Sequence, residues 1–113
     1  MRRQYLQPLR EYLPDHDLRI RVTLDLERGR LVAWAVQLEW NDPEEGWVWV
    51  ARYDAAGGRV HRDRNRIAPH EPVPLAPTSG ADLGVAKEEL RRNALAYIEG
   101  YRAAKAQGRE AWP

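Results

Sequence analysis

An alternating pattern of apolar and polar residues constrains the fold more than any other feature of the sequence. Residues 18–26 place leucine, isoleucine or valine at every second position, with charged residues or threonine between them. This period of two is typical of a β-strand with one buried face. Arg28 and Gly29 follow as a turn, and residues 32–40 again place apolar side chains on one face. The two segments therefore predict a β-hairpin.

Two further strands are predicted after this hairpin. An acidic loop that contains Pro43 and Gly46 leads into a third strand over residues 47–54. The sequence Ala-Ala-Gly-Gly then indicates another turn, and residues 59–64 return as a fourth strand. Residues 18–64 are thus expected to form an antiparallel β-meander.

The segments on either side of the meander complete one expected domain, residues 1–113. The N-terminal segment, residues 1–17, contains Pro8 and is expected to form short turns. The Pro-rich segment 65–80 is expected to form an ordered crossing loop. Apolar residues at three- and four-residue steps predict one helix over residues 81–107. The expected fold class is α+β, an antiparallel four-stranded β-meander with one long C-terminal helix packed on the sheet.

Composition excludes several classes of function. Cysteine is absent, which excludes disulfides, cysteine-ligated metals and thiol nucleophiles. No stretch approaches the roughly 18–20 consecutive apolar residues of a membrane span, so we expect a cytoplasmic protein with no membrane partner. The 18 basic and 17 acidic residues give a net charge of +1, which provides no general attraction to nucleic acid. The preference for arginine over lysine indicates a GC-rich genome and favours a thermophilic source.

The strongest group of polar residues surrounds the Gly-Gly turn between the third and fourth strands. When the hairpin loop has an even number of residues, the positions of cross-strand partners sum to an odd number, as 54 and 61 do. This parity places five side chains on one face, and a bulge would separate them. The five are Arg52, Asp54, Arg59, His61 and Asp63.

Three interpretations of this cluster remain open. In the first, it is a catalytic site in which a histidine beside carboxylates acts as a general base and arginines hold a phosphate. In the second, the acidic and imidazole side chains hold a divalent metal, although we assign no metal ligand and no cofactor. In the third, the residues form a structural ion-pair network. The candidate catalytic residues are Asp54, His61 and Asp63, and the candidate phosphate or nucleic-acid contacts are Arg52, Arg59, Arg62 and Arg64.

Arginine and aromatic residues on neighbouring strands suggest RNA binding as another kind of site. Four arginines in residues 59–66 lie beside a strand that carries Trp47, Trp49 and Tyr53. Such residues on a sheet can stack bases and contact phosphates. A solvated edge strand has the same composition, because charge on an edge prevents aggregation. The tryptophans also suit a protein core or a dimer interface.

The other two histidines are weaker candidates than His61. His16 lies between Asp15 and Asp17 in what we expect to be an exposed loop. His70 lies in the Pro-rich segment and would be a metal ligand only if the fold returned it to His61.

Several short motifs resemble those of an uncharacterised family of small prokaryotic proteins that share a domain of unknown function. They are the VQxE strand at residues 36–39, Trp47, the RYD strand end at 52–54, Gly58 and the HRD strand at 61–63, within a resemblance over roughly residues 18–105. Gly57 stands where many members have histidine, so a site that needed both histidines would be incomplete here. The hairpin with RYD followed by a histidine is also similar to TumE-type toxins of toxin–antitoxin systems, which points towards chemistry on nucleic acid.

Two functions from different classes follow from these patterns. The leading hypothesis is a small cytosolic accessory or interaction domain that acts through protein contacts, as a homodimer or with another protein. The alternative is a toxin–antitoxin-type enzyme that acts on RNA or nucleotides through the Asp/His/Asp/Arg cluster. Substitution of Asp54 or His61 separates them, because it removes activity only from the enzyme.

Overall fold

The computed structural model describes residues 1–9, 13 and 15–113, apart from the side chain of Ala56. These residues form one six-stranded antiparallel sheet, in which the strands lie side by side in chain order. Two helices follow the last strand. The strands are β1 (Arg2–Pro8), β2 (Leu18–Glu27), β3 (Arg30–Asp42), β4 (Gly46–Asp54), β5 (His61–Arg64) and β6 (Ala68–Pro72), and the helices are α1 (Gly80–Arg92) and α2 (Ala94–Ala106).

The prediction of a four-stranded meander was wrong at both edges of the sheet. The four expected strands correspond to β2–β5, but β1 extends the sheet in the segment expected to form turns, and β6 extends it in the expected Pro-rich loop. Proline is tolerated on edge strands, where its missing amide can face away from the neighbouring strand. Pro8 and Pro72 are the last residues of β1 and β6, so these prolines do not prevent the segments from forming strands.

The single long helix was also wrong, because the helical segment breaks at Asn93. The backbone of Asn93 has φ −106° and ψ 16°, outside the helical range. Its side-chain Nδ2 donates to the carbonyl oxygen of Glu89 at 3.1 Å and to the Glu89 carboxylate at 2.8 Å. Asparagine competes in this way with the helical backbone pattern. No helix in the described ranges is long and apolar enough to cross a membrane.

The two helices cover one face of the sheet and enclose the core. Alternate residues of β2 and β3 point towards them, as the period of two predicted. Trp34 is 1% exposed, and its indole nitrogen donates to the carbonyl of Ala76 at 3.0 Å. The buried side chains include Leu18, Ile20, Val22, Trp34, Val36, Leu38 and Trp40 from these strands and Ala86, Leu90, Ala94, Tyr97, Ile98 and Tyr101 from the helices.

The opposite side of the sheet, which we call the open face, carries most of the polar side chains that matter below. Polar residues of β2–β5 point to this side because they alternate with the core positions. Two buried carboxylates lie among them, Glu39 at 5% exposure and Asp63 at 1%. Burial of a charge is costly unless it is paired, so both sites require partners.

Candidate active site

Strands β4 and β5 bring the RYD and HRD residues together. Asp54 pairs with His61, and Arg52 pairs with Asp63, in the register that the parity argument predicted. Arg52 Nε donates to Asp63 Oδ2 at 2.9 Å and lies 3.9 Å from Asp54 Oδ2. These four side chains therefore belong to one group on the open face.

A β-bulge at the edge of the sheet adds His70 to this group. The register of β5 and β6 shifts beside Asp63, so that two residues, Pro69 and His70, lie opposite one. His70 has a φ of +53°, a conformation that residues other than glycine rarely adopt. Bulges near sheet edges redirect side chains in this way and are frequent next to active sites. We call Arg52, Asp54, His61, Asp63 and His70 the Asp63 cluster.

The Asp63 carboxylate holds the cluster together. Its Oδ1 accepts the backbone amide of His70 at 2.5 Å and lies 3.5 Å from His70 Nδ1, while its Oδ2 binds Arg52. Burial alone would raise the pKa of Asp63, but the hydrogen bonds from the His70 amide and Arg52 outweigh it and hold that pKa below its ordinary value. Asp63 is therefore an anion at neutral pH, fixed between a guanidinium and an imidazole.

The two histidines of the cluster lie side by side. Their ring centroids are 6.0 Å apart, and the ring planes are inclined at 81°. The side chain of His70 is 72% exposed. His61 Nδ1 is buried and has no hydrogen-bond partner in the part of the chain that the structure describes. Because Nδ1 of His61 is buried, a phosphate group placed between the two rings would have to meet His61 through Nε2.

The remaining predicted phosphate contacts lie elsewhere. Arg62 and Arg64 point to the helix side of the sheet, where both donate to the carboxylate of Glu71, at 3.1 Å and 2.8 Å. They do not share a face with Trp47 and Trp49, as a stacking surface on this strand would require. Arg59 is exposed in the loop before β5. Of the four arginines predicted to contact phosphate, Arg52 is the one that belongs to the Asp63 cluster.

The helix side of β4 and β5 holds a separate polar group. The carboxylate of Glu89 accepts hydrogen bonds from the hydroxyls of Tyr53 and Tyr97, the latter at 2.5 Å. Burial, and then the hydrogen bond to Glu89, raises the pKa of each tyrosine above its ordinary value. Neither hydroxyl gives up its proton near neutral pH, so this group anchors α1 and α2 to the sheet.

The metal interpretation of Asp54, His61 and Asp63 gains no support from the geometry. In residues 1–9, 13 and 15–113, no three histidine or acidic side chains are placed to hold a metal ion. Both oxygens of Asp63 already accept hydrogen bonds within the chain.

A groove of about 370 Å³ lies beside the Asp63 cluster on the open face. Two tryptophans on β4 line it, each stacked by an arginine. The guanidinium of Arg19 lies 3.8 Å from the ring centroid of Trp47, and that of Arg52 lies 4.0 Å from Trp49. These distances are typical of cation–π contacts.

Sequence reasoning missed three parts of this surface. Glu39 was not recognised as a buried charge, although the alternation of β2 and β3 places it on the same face as Arg19 and Arg21. The approach of His70 to His61 was stated only as a condition on the fold. The prolines Pro69 and Pro72 led to the prediction of a loop where β6 lies. No local signal predicted that Trp112 would contact Trp49.

Comparison with known proteins identifies the family of the chain. No curated protein and no solved structure shows significant similarity to it. The predicted membership of a family with a domain of unknown function is confirmed, while the VQxE, RYD and HRD motifs as its marks and the likeness to TumE-type toxins stay predictions. A family model described as "Domain of unknown function (DUF7718)" matches residues 1–107, and the chain belongs to that family.

Proposed function

We propose that this protein is an acid–base enzyme that cleaves phosphodiester bonds in RNA, with the Asp63 cluster as its active site. One observation carries the proposal: a buried carboxylate fixes an arginine and a histidine beside a second histidine on the same face of the sheet. Two imidazoles and a guanidinium can supply the general base, the general acid and the charge stabilisation of a phosphoryl transfer that forms no covalent enzyme intermediate.

The reaction needs one imidazole as base and the other, protonated, as acid. The base takes the proton of a ribose 2′-hydroxyl, and that oxygen forms a bond to the adjacent phosphorus. The bond from phosphorus to the 5′-oxygen of the next nucleotide breaks, and the second imidazole gives its proton to the departing oxygen. The products are a 2′,3′-cyclic phosphate and a 5′-hydroxyl. His61 and His70 fill the two roles, and Arg52 stabilises the negative charge that develops on the phosphate oxygens.

Asp63 is a positioning residue in this scheme. Its carboxylate binds the backbone and faces the ring nitrogen of His70, so it sets the orientation of the imidazole that projects into solvent. The same carboxylate fixes Arg52 through Oδ2. Preorganised groups of this kind need no rearrangement when the substrate arrives.

The backbone of His70 favours the enzyme over a purely structural network. A non-glycine residue at φ +53° costs free energy and is frequent at functional sites, although Arg28 and Arg66 adopt a positive φ outside the Asp63 cluster. An ion pair between Arg52 and Asp63 alone would not require a positive φ at His70. The hypothesis of an interaction domain that acts through protein contacts stays a prediction, and a concentration-dependent dimer or a co-purifying partner would support it.

The test compares the three histidines of the chain. With a labelled single-stranded RNA of random sequence, His61→Ala and His70→Ala are each expected to slow cleavage by at least about a hundredfold. His16→Ala is the matched control and should cleave at the rate of the wild type, because His16 lies outside the Asp63 cluster. An oligonucleotide with 2′-deoxyribose throughout should stay intact.

Two results would contradict the proposal. The first is a wild-type protein that leaves the RNA intact across a range of RNA sequences. The second is cleavage at equal rates by wild type and both active-site variants, which would indicate a contaminating nuclease. Circular dichroism melting curves of each variant show that any loss of rate is not a loss of folding.

A further inference from the structure

The last residues of the sequence lie across the open face beside the Asp63 cluster. The backbone amide of Trp112 donates to Asn65 Oδ1 at 2.9 Å, and its carbonyl accepts from the indole nitrogen of Trp49 at 3.2 Å. The rings of the two tryptophans lie 6.5 Å apart between centroids, with planes inclined at 42°. This segment, residues 109–113, follows the part of the chain that the family model matches.

The same segment also reaches the active-site arginine. Arg52 Nη1 donates to the carbonyl of Pro113 at 3.0 Å, while its Nε binds Asp63. The indole of Trp112 therefore lies against Trp49, and the backbone oxygen of the next residue, Pro113, accepts a hydrogen bond from Arg52. A nucleotide presents the same order of groups, a planar base followed by phosphate oxygens.

We propose that the groove beside Trp49 is a nucleobase-binding subsite of the Asp63 cluster and that Trp112, which lines the groove, covers part of Trp49 in this structure. The inference rests on the proposed function, because it assigns a substrate contact to the same site. Single-stranded nucleic acids are bound by aromatic side chains that stack on bases together with arginines that contact the backbone. Arg52 joins the subsite to the cluster, since one guanidinium stacks on Trp49 and binds Asp63.

A second stacking surface continues the groove away from the cluster. Trp47 is 39% exposed, and Arg19 stacks on it. Trp47 and Trp49 are two apart on β4 and lie on the same face, so successive bases can follow the strand from one indole to the other. Arg19 and Arg21 share the single carboxylate of Glu39, and Glu45, which also lines the groove, is paired with Arg66.

The experiment measures the affinity of the full chain for a fluorescent oligothymidylate by anisotropy. This probe has no 2′-hydroxyl, so binding is scored without cleavage. Trp112→Ala removes the competing indole and is expected to raise the affinity about fivefold. Trp49→Ala, added to Trp112→Ala, should lower the affinity of that variant about fivefold or more. Leu95→Ala, which shortens an exposed apolar side chain on α2, is the control and should change nothing.

Failure of the inference is distinguishable from failure of the proposed function. An active ribonuclease whose oligothymidylate affinity does not respond to Trp112→Ala or Trp49→Ala overturns the subsite alone. An oligothymidylate affinity that responds as expected in a protein that never cleaves RNA supports the subsite and overturns the reaction. Binding of the peptide Arg-Glu-Ala-Trp-Pro to the Trp112→Ala variant, without binding of the oligonucleotide, would overturn the inference and make the groove a peptide site.

Discussion

Glu39 and Asp63 are both buried carboxylates on the open face, yet their surroundings differ. Glu39 lies on a central strand, and its oxygens accept from the side chains of Arg19, Arg21 and Gln37. Burial would raise the pKa of Glu39, but these hydrogen bonds outweigh it and lower that pKa. Asp63 lies one strand from the edge, and one of its two partners is a histidine that is 72% exposed.

Under the proposed function, this difference separates a buried carboxylate that stabilises the sheet from one that positions reacting groups. The β3–β4 register also shifts beside Glu39, but long side chains of β2 and β3 satisfy that carboxylate within the sheet. The bulge beside Asp63 instead brings a backbone amide to the carboxylate and leaves the imidazole of His70 directed towards solvent. Position in the sheet, rather than burial, separates the two carboxylates.

The largest expected effect is that of Asp63→Asn on catalysis. An amide can still accept one hydrogen bond, but it cannot hold both Arg52 and the His70 imidazole as an anion does. The rate of RNA cleavage should fall by about a hundredfold. The measurement is a single-turnover rate at neutral pH. A variant that cleaves at the wild-type rate would show that Asp63 is no more catalytic than Glu39.

Glu39→Gln should lower stability and leave the single-turnover cleavage rate at saturating RNA unchanged, because Glu39 lines the groove but lies outside the Asp63 cluster. Loss of the carboxylate leaves Arg19 and Arg21 without their counter-charge, and because both arginines are partly exposed we expect a loss of about 2 kcal/mol in the free energy of unfolding. Urea denaturation measures it, with Glu88→Gln on the exposed side of α1 as the control. A drop in the cleavage rate of the folded variant would break the distinction between the two carboxylates.

The smallest effect is expected on the helix side of the sheet. Tyr97→Phe removes one of the two hydroxyls that donate to Glu89, which should lower the free energy of unfolding by about 1 kcal/mol. The cleavage rate should not change, because Tyr97 lies on the other side of the sheet from the Asp63 cluster. Tyr5→Phe on the exposed strand β1 is the control for thermal melting. A folded Tyr97→Phe variant that has lost activity would contradict the assignment of the active site to the open face.

Local patterns in the sequence predicted the middle of the molecule but not its edges. The alternation of β2 and β3 predicts the first hairpin, and the even-numbered connection through Gly57 and Gly58 predicts the β4–β5 register that joins Arg52 to Asp63. The edge strands contain prolines, which in the sequence indicate a loop. An edge strand tolerates them because one of its sides has no hydrogen-bonded neighbour. The break at Asn93 depends on a side-chain hydrogen bond that the apolar periodicity of the helix does not record.

Part of the candidate site follows from pairing rules and part from tertiary structure. Parity alone places Asp54, His61 and Asp63 on one face. The approach of His70 depends on a bulge and a positive φ, neither of which has a marker in the sequence Ala-Pro-His-Glu-Pro. Contacts between residues far apart in the chain, such as Trp49 with Trp112, depend on the tertiary fold and have no local pattern in the sequence.

The most direct test of the central claim is the pH dependence of RNA cleavage by the wild-type protein. Because the proposed reaction needs one general base and one general acid, the cleavage rate should rise and then fall as the pH increases across the range in which the protein stays folded. A bell-shaped profile that is absent from the residual activity of His70→Ala is the predicted result. A rate that is independent of pH across that range, or a profile that survives His70→Ala, would contradict an active site built around Asp63.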